Sequence, residues 1–211
     1  MNWESLLSQF SGHPLFPSSL LRTFEDDPRH IQVQISRWVK QNKLIQIRRG
    51  WYLIGKPYRT KEVSQALIAN TVVQPSYLSL EWALHFHGMI PEAVFQPTSL
   101  TTRRGIQFQA LDRFFIYHHI VPSFFAGYQR VEWAGEKILV ARPEKALLDK
   151  IYIFIQTKPF SLEWLKGLRL QNLERLNLNQ WPKLAAGSQK PGFAPAAKKA
   201  MDYIKSRESK P

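Results

Sequence analysis

The 211-residue chain contains no cysteine. Disulfides, thiol catalysis and cysteine-based metal centres are thereby excluded, and a reducing cytoplasm suits it. No apolar run is long enough to span a bilayer. The opening "MNWESLLSQF" lacks a basic region followed by an apolar one, so a cytoplasmic chain without a secretory signal is expected. Signatures of common chemistries are missing as well. "GKPYRTK" contains Gly-Lys, but neither the glycine-rich loop nor the following Ser/Thr of a phosphate-binding loop. There is no G-x-S-x-G elbow and no H-E-x-x-H pair. Internal repeats and low-complexity tracts are absent too.

Acidic residues are scarce. Sixteen Asp and Glu face 29 Lys and Arg, for a net charge of +13 and a pI near 10.1. Such an excess points to a polyanion, because each cation that meets a phosphate releases a condensed counterion. Nucleic acid is the first candidate and acidic lipid the second, beside a basic protein with no polyanionic partner. Residues 1–56 carry a net of +4, residues 57–155 a net of +2 and residues 156–211 a net of +7. A polyanion would therefore meet the two ends of the chain.

Apolar spacing predicts three helices and a hairpin in residues 1–56. "WESLLSQF" places Trp3, Leu6, Leu7 and Phe10 on one face. "PSSLLRTF" is a short second helix with Pro17 near its start. Asp27 is a candidate N-cap for the third, "PRHIQVQISRWVKQNK", with Pro28 at its first position. There Ile31, Ile35, Trp38, Val39 and Asn42 fall on the inward side, opposite Arg29, Val33, Ser36, Arg37 and Lys40. The period then turns alternating. "LIQIRR" and "GWYLIG" read as strands joined at Arg48-Arg49-Gly50. That order is the order of a winged helix-turn-helix, whose third helix enters a major groove and whose hairpin is the wing.

A Pro/Gly-containing connector sets a domain boundary near residue 57. Helices are expected over "TKEVSQALIANTVV" and "SLEWALHFHG", the latter with Ser79 as N-cap and Gly88 as stop. Strands follow between residues 98 and 141, with a turn at Ala134-Gly135, and then a helix over "RPEKALLDKIYIFI". The fold class is thus α+β. A winged helix-turn-helix at 1–56 precedes an α+β domain at 57–158 with a mostly antiparallel sheet. A basic extension at 159–211 adds the helices "SLEWLKGL", "LERLNLNQWPKLAA" and "PAAKKAMDYIKSRES", with 190–195 as a loop.

"YLSLEWALHFHGMIPE", "ARPEKALLDKIY" and the hairpin string "RRGWYLI" together resemble AbiEi-type antitoxins of bacterial type IV toxin–antitoxin and abortive-infection systems. The resemblance covers roughly residues 4–155, in order. It implies an N-terminal domain that binds double-stranded operator DNA and represses its own operon. It also implies a second domain that opposes a nucleotidyltransferase-like toxin without holding it in a stable complex. A stand-alone transcriptional regulator with no toxin is the safer half of that implication.

The candidate DNA contacts lie on the third helix and the hairpin. Arg29 can reach a phosphate or a guanine edge, the commonest specific readout. His30 and Gln32 flank the same turn, and Ser36, Arg37 and Lys40 suit backbone oxygens further along. Arg48 and Arg49 would reach an adjacent backbone or minor groove. The alternative is a solvated helix face. Glu144, Lys145 and Asp149 are the only cluster that suggests an enzyme, a nuclease-like one targeted by the winged helix. Glu144 is explained by a helix N-terminus and Lys145 with Asp149 by an i, i+4 ion pair, and the preferred reading is structural, a helix that packs on the sheet and keeps the second domain intact. His85 and His87 face different ways on a helix, and His118 and His119 point to opposite faces of a strand. No metal, cofactor, catalytic residue or membrane partner is expected. The lysines of 190–211 serve either as further phosphate contacts or as the solvated face of a docked helix, with Ala197, Met201 and Ile204 inward.

Overall fold

The computed structural model describes residues 2–22 and 28–208, and the chain is a mixed α+β protein. The proposed Asp27 cap lies outside the described residues. Two compact units are present: Met1–Ile68 with Phe108–Phe114, and Ala69–Gln107 with Phe115–Pro211.

The first unit runs α1 (Trp3–Phe10), β1 (Leu15–Pro17), α2 (Ser18–Leu21), α3 (Pro28–Lys40), β2 (Leu44–Arg48) and β3 (Trp51–Ile54). Its strands form an antiparallel sheet in the order β1-β3-β2. Helix α1 begins where the Asn2 side chain accepts the Ser5 N–H at 2.8 Å, which satisfies one of the orphan donors of a helix start. Leu6 and Phe10 point inward to Phe16, Leu21, Ile31, Ile35, Trp38, Leu44, Tyr52 and Ile54, which form one apolar cluster. Burying side chains of this size contributes roughly 1.5–3 kcal/mol each.

Strand β1 is too short to show alternation in the sequence. It exists because β3 offers it a partner: Leu15, Phe16 and Pro17 face Leu53, Tyr52 and Trp51. Asn42, expected on the inward side of the third helix, lies past its end and is exposed. Its φ is +56°, the Asn42 N–H donates to Val39 O at 3.0 Å and the Lys43 N–H to Trp38 O at 2.9 Å. This left-handed cap satisfies the last carbonyls of α3 and turns the chain into β2. The turn needs Gly55 beside it, since a Cβ there would stand 2.2 Å from Asn42 O.

Helix α4 (Gln65–Val72) starts later than "TKEVSQ" suggested. The Ser64 hydroxyl accepts the Leu67 N–H at 3.0 Å and fixes its N-terminus. Before it, Arg59 ties the connector back, donating to Ile54 O at 3.2 Å and to Glu62 at 2.7 Å.

Along the rest of the chain come β4 (Ser76–Leu78), α5 (Leu80–Phe86), β5 (Thr98–Thr101), β6 (Ile106–Ala110), β7 (Arg113–His119), β8 (Tyr128–Trp133), β9 (Glu136–Ala141), α6 (Pro143–Phe154), α7 (Leu162–Gly167), α8 (Trp181–Ala186) and α9 (Phe193–Glu208); β6 and β7 run across the boundary between the two units. The six strands stand in the order β6-β7-β5-β4-β9-β8. β4 with β5 and β8 with β9 are antiparallel, while β4 with β9 and β5 with β7 are parallel. The sheet expected to be mostly antiparallel is mixed, with antiparallel and parallel pairings side by side. The reason is β4, a three-residue strand that the sequence pattern does not show, which lies between β5 and β9.

On α6, Ala146, Leu147, Leu148 and Ile151 are fully buried. α8 and α9 pack against it. Trp181 is buried and donates its indole N–H to Ala197 O at 3.1 Å, and Phe193 packs edge-on to Phe124 and Tyr152. The expected helix "LERLNLNQWPKLAA" is broken into a 3-10 turn at Leu173–Arg175 and α8. Between them Leu176 leaves helical geometry at ψ 124° and buries its side chain. Helix α9 begins at Phe193, so the loop ends before the expected 195.

Candidate nucleic-acid interface

Helix α3 divides cleanly along its length. Ile31, Ile35 and Trp38 are buried and Val39 is half-buried, while Arg29, His30, Gln32, Val33, Ser36, Arg37 and Lys40 are exposed. Each of the helix residues named from the sequence thus lies on the solvent side, over an arc of less than half a turn. At about 1.5 Å per residue, this 13-residue helix presents a face about 20 Å long, compatible with a groove about 12 Å wide. Val33 was not named as a contact. It is a half-exposed methyl pair in the middle of a polar face, of a kind that suits a thymine methyl.

The hairpin sits next in sequence and is paired with β1. Arg49 and Gly50 form its turn, with Gly50 at φ +83°. Only a residue without Cβ adopts that conformation at little cost. The Gly50 carbonyl accepts the Ser18 N–H at 2.8 Å, which anchors the turn to the start of α2. A register shift between Gln46 and Arg48 lets Leu44 and Ile47 both point inward, and the two arginines follow at the tip. They differ in environment. Arg49 is exposed, whereas Arg48 is half-buried with its guanidinium 5.9 Å from the centre of the Phe108 ring. Lys43 is turned away from the helix face, its ammonium 5.4 Å from the Trp3 ring.

The sequence carries a further signal for this surface. Residues 28–61 contain no acidic residue and nine basic ones, so the stretch that carries the helix and the hairpin is cationic throughout its length. A cationic helix face attracts phosphate oxygens through charge, and Arg, Gln and His side chains can donate to base edges.

The second cluster behaves differently. Lys145 and Asp149 are sealed from solvent and bonded to each other at 2.6 Å. The other Asp149 oxygen accepts the hydroxyls of Ser79 at 2.6 Å and Tyr77 at 3.1 Å. The Lys145 ammonium also lies 3.1 Å from the centre of the Phe124 ring. Ser79 thus occupies the N-cap position of α5 without capping it, since its hydroxyl is spent on Asp149. Burial pushes the Asp149 carboxyl up and the Lys145 amine down, each opposed by the partner's charge. Glu144 is buried too and accepts the Asn177 N–H at 3.4 Å. The three side chains are thus spent on interior partners and present no face to a substrate. The histidine pairs do not converge either. His87 Nε2–H donates to Ala141 O and His119 Nδ1–H to Arg103 O, and no metal-binding group of His, Asp and Glu occurs among the described residues.

Compared with known protein families and with curated protein sequences, the chain matches none. Among the described residues no helix is long and apolar enough to cross a membrane.

Proposed function

We propose that the chain is a sequence-specific DNA-binding repressor of the antitoxin type that its sequence resembles, with no catalytic chemistry of its own. The reading rests on one observation: the exposed, acid-free face of α3 next to the Arg48-Arg49 hairpin. The order α1-β1-α2-α3-β2-β3 with an antiparallel three-stranded sheet supports a winged helix-turn-helix. In this reading α3 enters the major groove. Arg29, His30 and Gln32 address base edges, Val33 meets a methyl group, and Ser36, Arg37 and Lys40 hold the sugar–phosphate backbone. Arg49, with Arg48 behind it, reaches the neighbouring backbone or minor groove.

A gel shift on the operon's own upstream DNA tests this. Salt-sensitive, competitor-resistant binding that weakens in the Arg48→Ala, Arg49→Ala double variant is expected. No binding, or binding indifferent to both substitutions, overturns the reader. The antitoxin half is separate: co-expression with a nucleotidyltransferase-like toxin from the same operon should restore growth, and should do so in the double variant as well.

A further inference from the structure

A cavity of about 470 Å³ opens in the second unit, lined by Asn70, Gln74, Arg103, Phe125, Tyr128 and Leu139 among others. Its size falls within the roughly 300–1,000 Å³ of small-molecule sites. Three features in it are chemically specific.

The first is an orphan donor. Asn70, on α4, is nine-tenths buried, and its side-chain oxygen accepts the Leu139 N–H. That bond fixes the amide orientation and leaves Nδ2 as the free end. Nδ2 is buried and has no hydrogen-bond partner among the described residues. A buried donor left unmade is costly, so a site that keeps one is built for an acceptor.

The second is an aromatic wall. Tyr128 has one face stacked on the buried Tyr77, with ring centres 4.8 Å apart and planes 18° apart. Phe125 meets Tyr128 edge-on at 5.3 Å. The wall is rigid because Tyr77 is itself held by Asp149. The third is a cation. Arg103 is exposed at the rim on a pinned backbone: its N–H donates to the Thr101 hydroxyl at 3.1 Å, and its carbonyl meets His119 Nδ1 at 3.0 Å. Arg103 forms no ion pair among the described residues.

An aromatic wall, a buried unpaired amide donor and an exposed guanidinium among the residues lining one cavity match a flat ring that carries a hydrogen-bond acceptor and an anionic group. We propose that this cavity binds a mononucleotide, with the base on Tyr128 and Phe125, a base carbonyl or ring nitrogen on Asn70 Nδ2, and the phosphate on Arg103. The Gln74 amide at the rim is within the same cavity and adds a polar contact to the base or sugar. This site is built from residues of the second unit, and the proposal does not rest on DNA binding.

Isothermal titration calorimetry of the full chain with AMP, CMP, GMP and UMP, their nucleosides and inorganic phosphate tests it. At least one mononucleotide is expected to saturate the chain at submillimolar concentration. Arg103→Ala and removal of the phosphate from that ligand should each weaken binding about tenfold, and should not add when combined. Asn70→Asp keeps an oxygen for Leu139 and removes the donor, and should weaken binding at least as much. Melting curves verify that each variant folds; should Asn70→Asp not fold, the exposed Arg103→Ala decides. No saturable heat with any mononucleotide overturns the proposal. So does binding that Arg103→Ala leaves unchanged, or inorganic phosphate alone binding as tightly as the mononucleotide.

Discussion

Lys145 and Asp149 form an ion pair of 2.6 Å that no solvent reaches. One turn of α6 separates them, and the pair ties that helix to β4 and to the start of α5 through Tyr77 and Ser79. Removing one member of such a pair strands the other. Asp149→Ala is expected to destabilise the chain by about 3–5 kcal/mol in urea denaturation. Lys145→Met should cost less, because Asp149 keeps two hydroxyl donors and can take up a proton. Combining Lys145→Met with Asp149→Leu should recover part of the loss. A single-variant cost near zero would show that the pair contributes nothing to this fold.

The close approach of Gly55 to the α3 cap gives a sharper test of the first unit. Gly55→Ala forces a Cβ onto Asn42 O and should cost about 3 kcal/mol. Asn42→Gly, at φ +56°, removes a left-handed penalty of up to about 1 kcal/mol and should be neutral or stabilising. Thermal melts of both variants check the pair of signs. Destabilisation by Asn42→Gly would contradict the cap.

Salt dependence separates the two hairpin arginines. If Arg49 meets one phosphate, Arg49→Ala should lower the slope of log K against log salt by about 0.9. Arg48→Ala should change it less, because its guanidinium already faces Phe108. Fluorescence anisotropy over a salt series measures both. Ser36→Ala should leave the slope alone, since a hydroxyl releases no counterion.

Acid should destabilise the second unit through two histidines. Burial holds His87 and His118 below the ordinary imidazole range. Their neutral forms favour the folded state, so this contribution is whole above the unfolded pKa of about 6.5 and is lost as pH falls through the lower folded values. The urea midpoint should therefore drop from about pH 7.5 to about pH 5.5. A His87→Gln, His118→Gln double variant should show a shallower drop over the same interval. An unchanged drop would place the acid sensitivity elsewhere.

The amino-acid sequence by itself determined the local facts. Apolar spacing in 28–40 was enough to say which side of α3 is buried, because a single helix face must be sequestered and the period of 3.6 is rigid. The Arg-Arg-Gly string was enough to locate the hairpin turn, because glycine adopts a positive φ at the least cost. Tertiary structure alone decided what depends on distant partners. β1 and β4 are three residues each and exist only because a neighbouring strand completes their hydrogen bonds. Asn42 left its helix face because the chain had to turn there. Lys145 and Asp149 read as an i, i+4 ion pair, and that spacing says nothing about what covers a helix. Seventy residues upstream, Ser79 and Tyr77 supply the hydroxyls that let the charge of Asp149 be buried, and no local pattern could announce them.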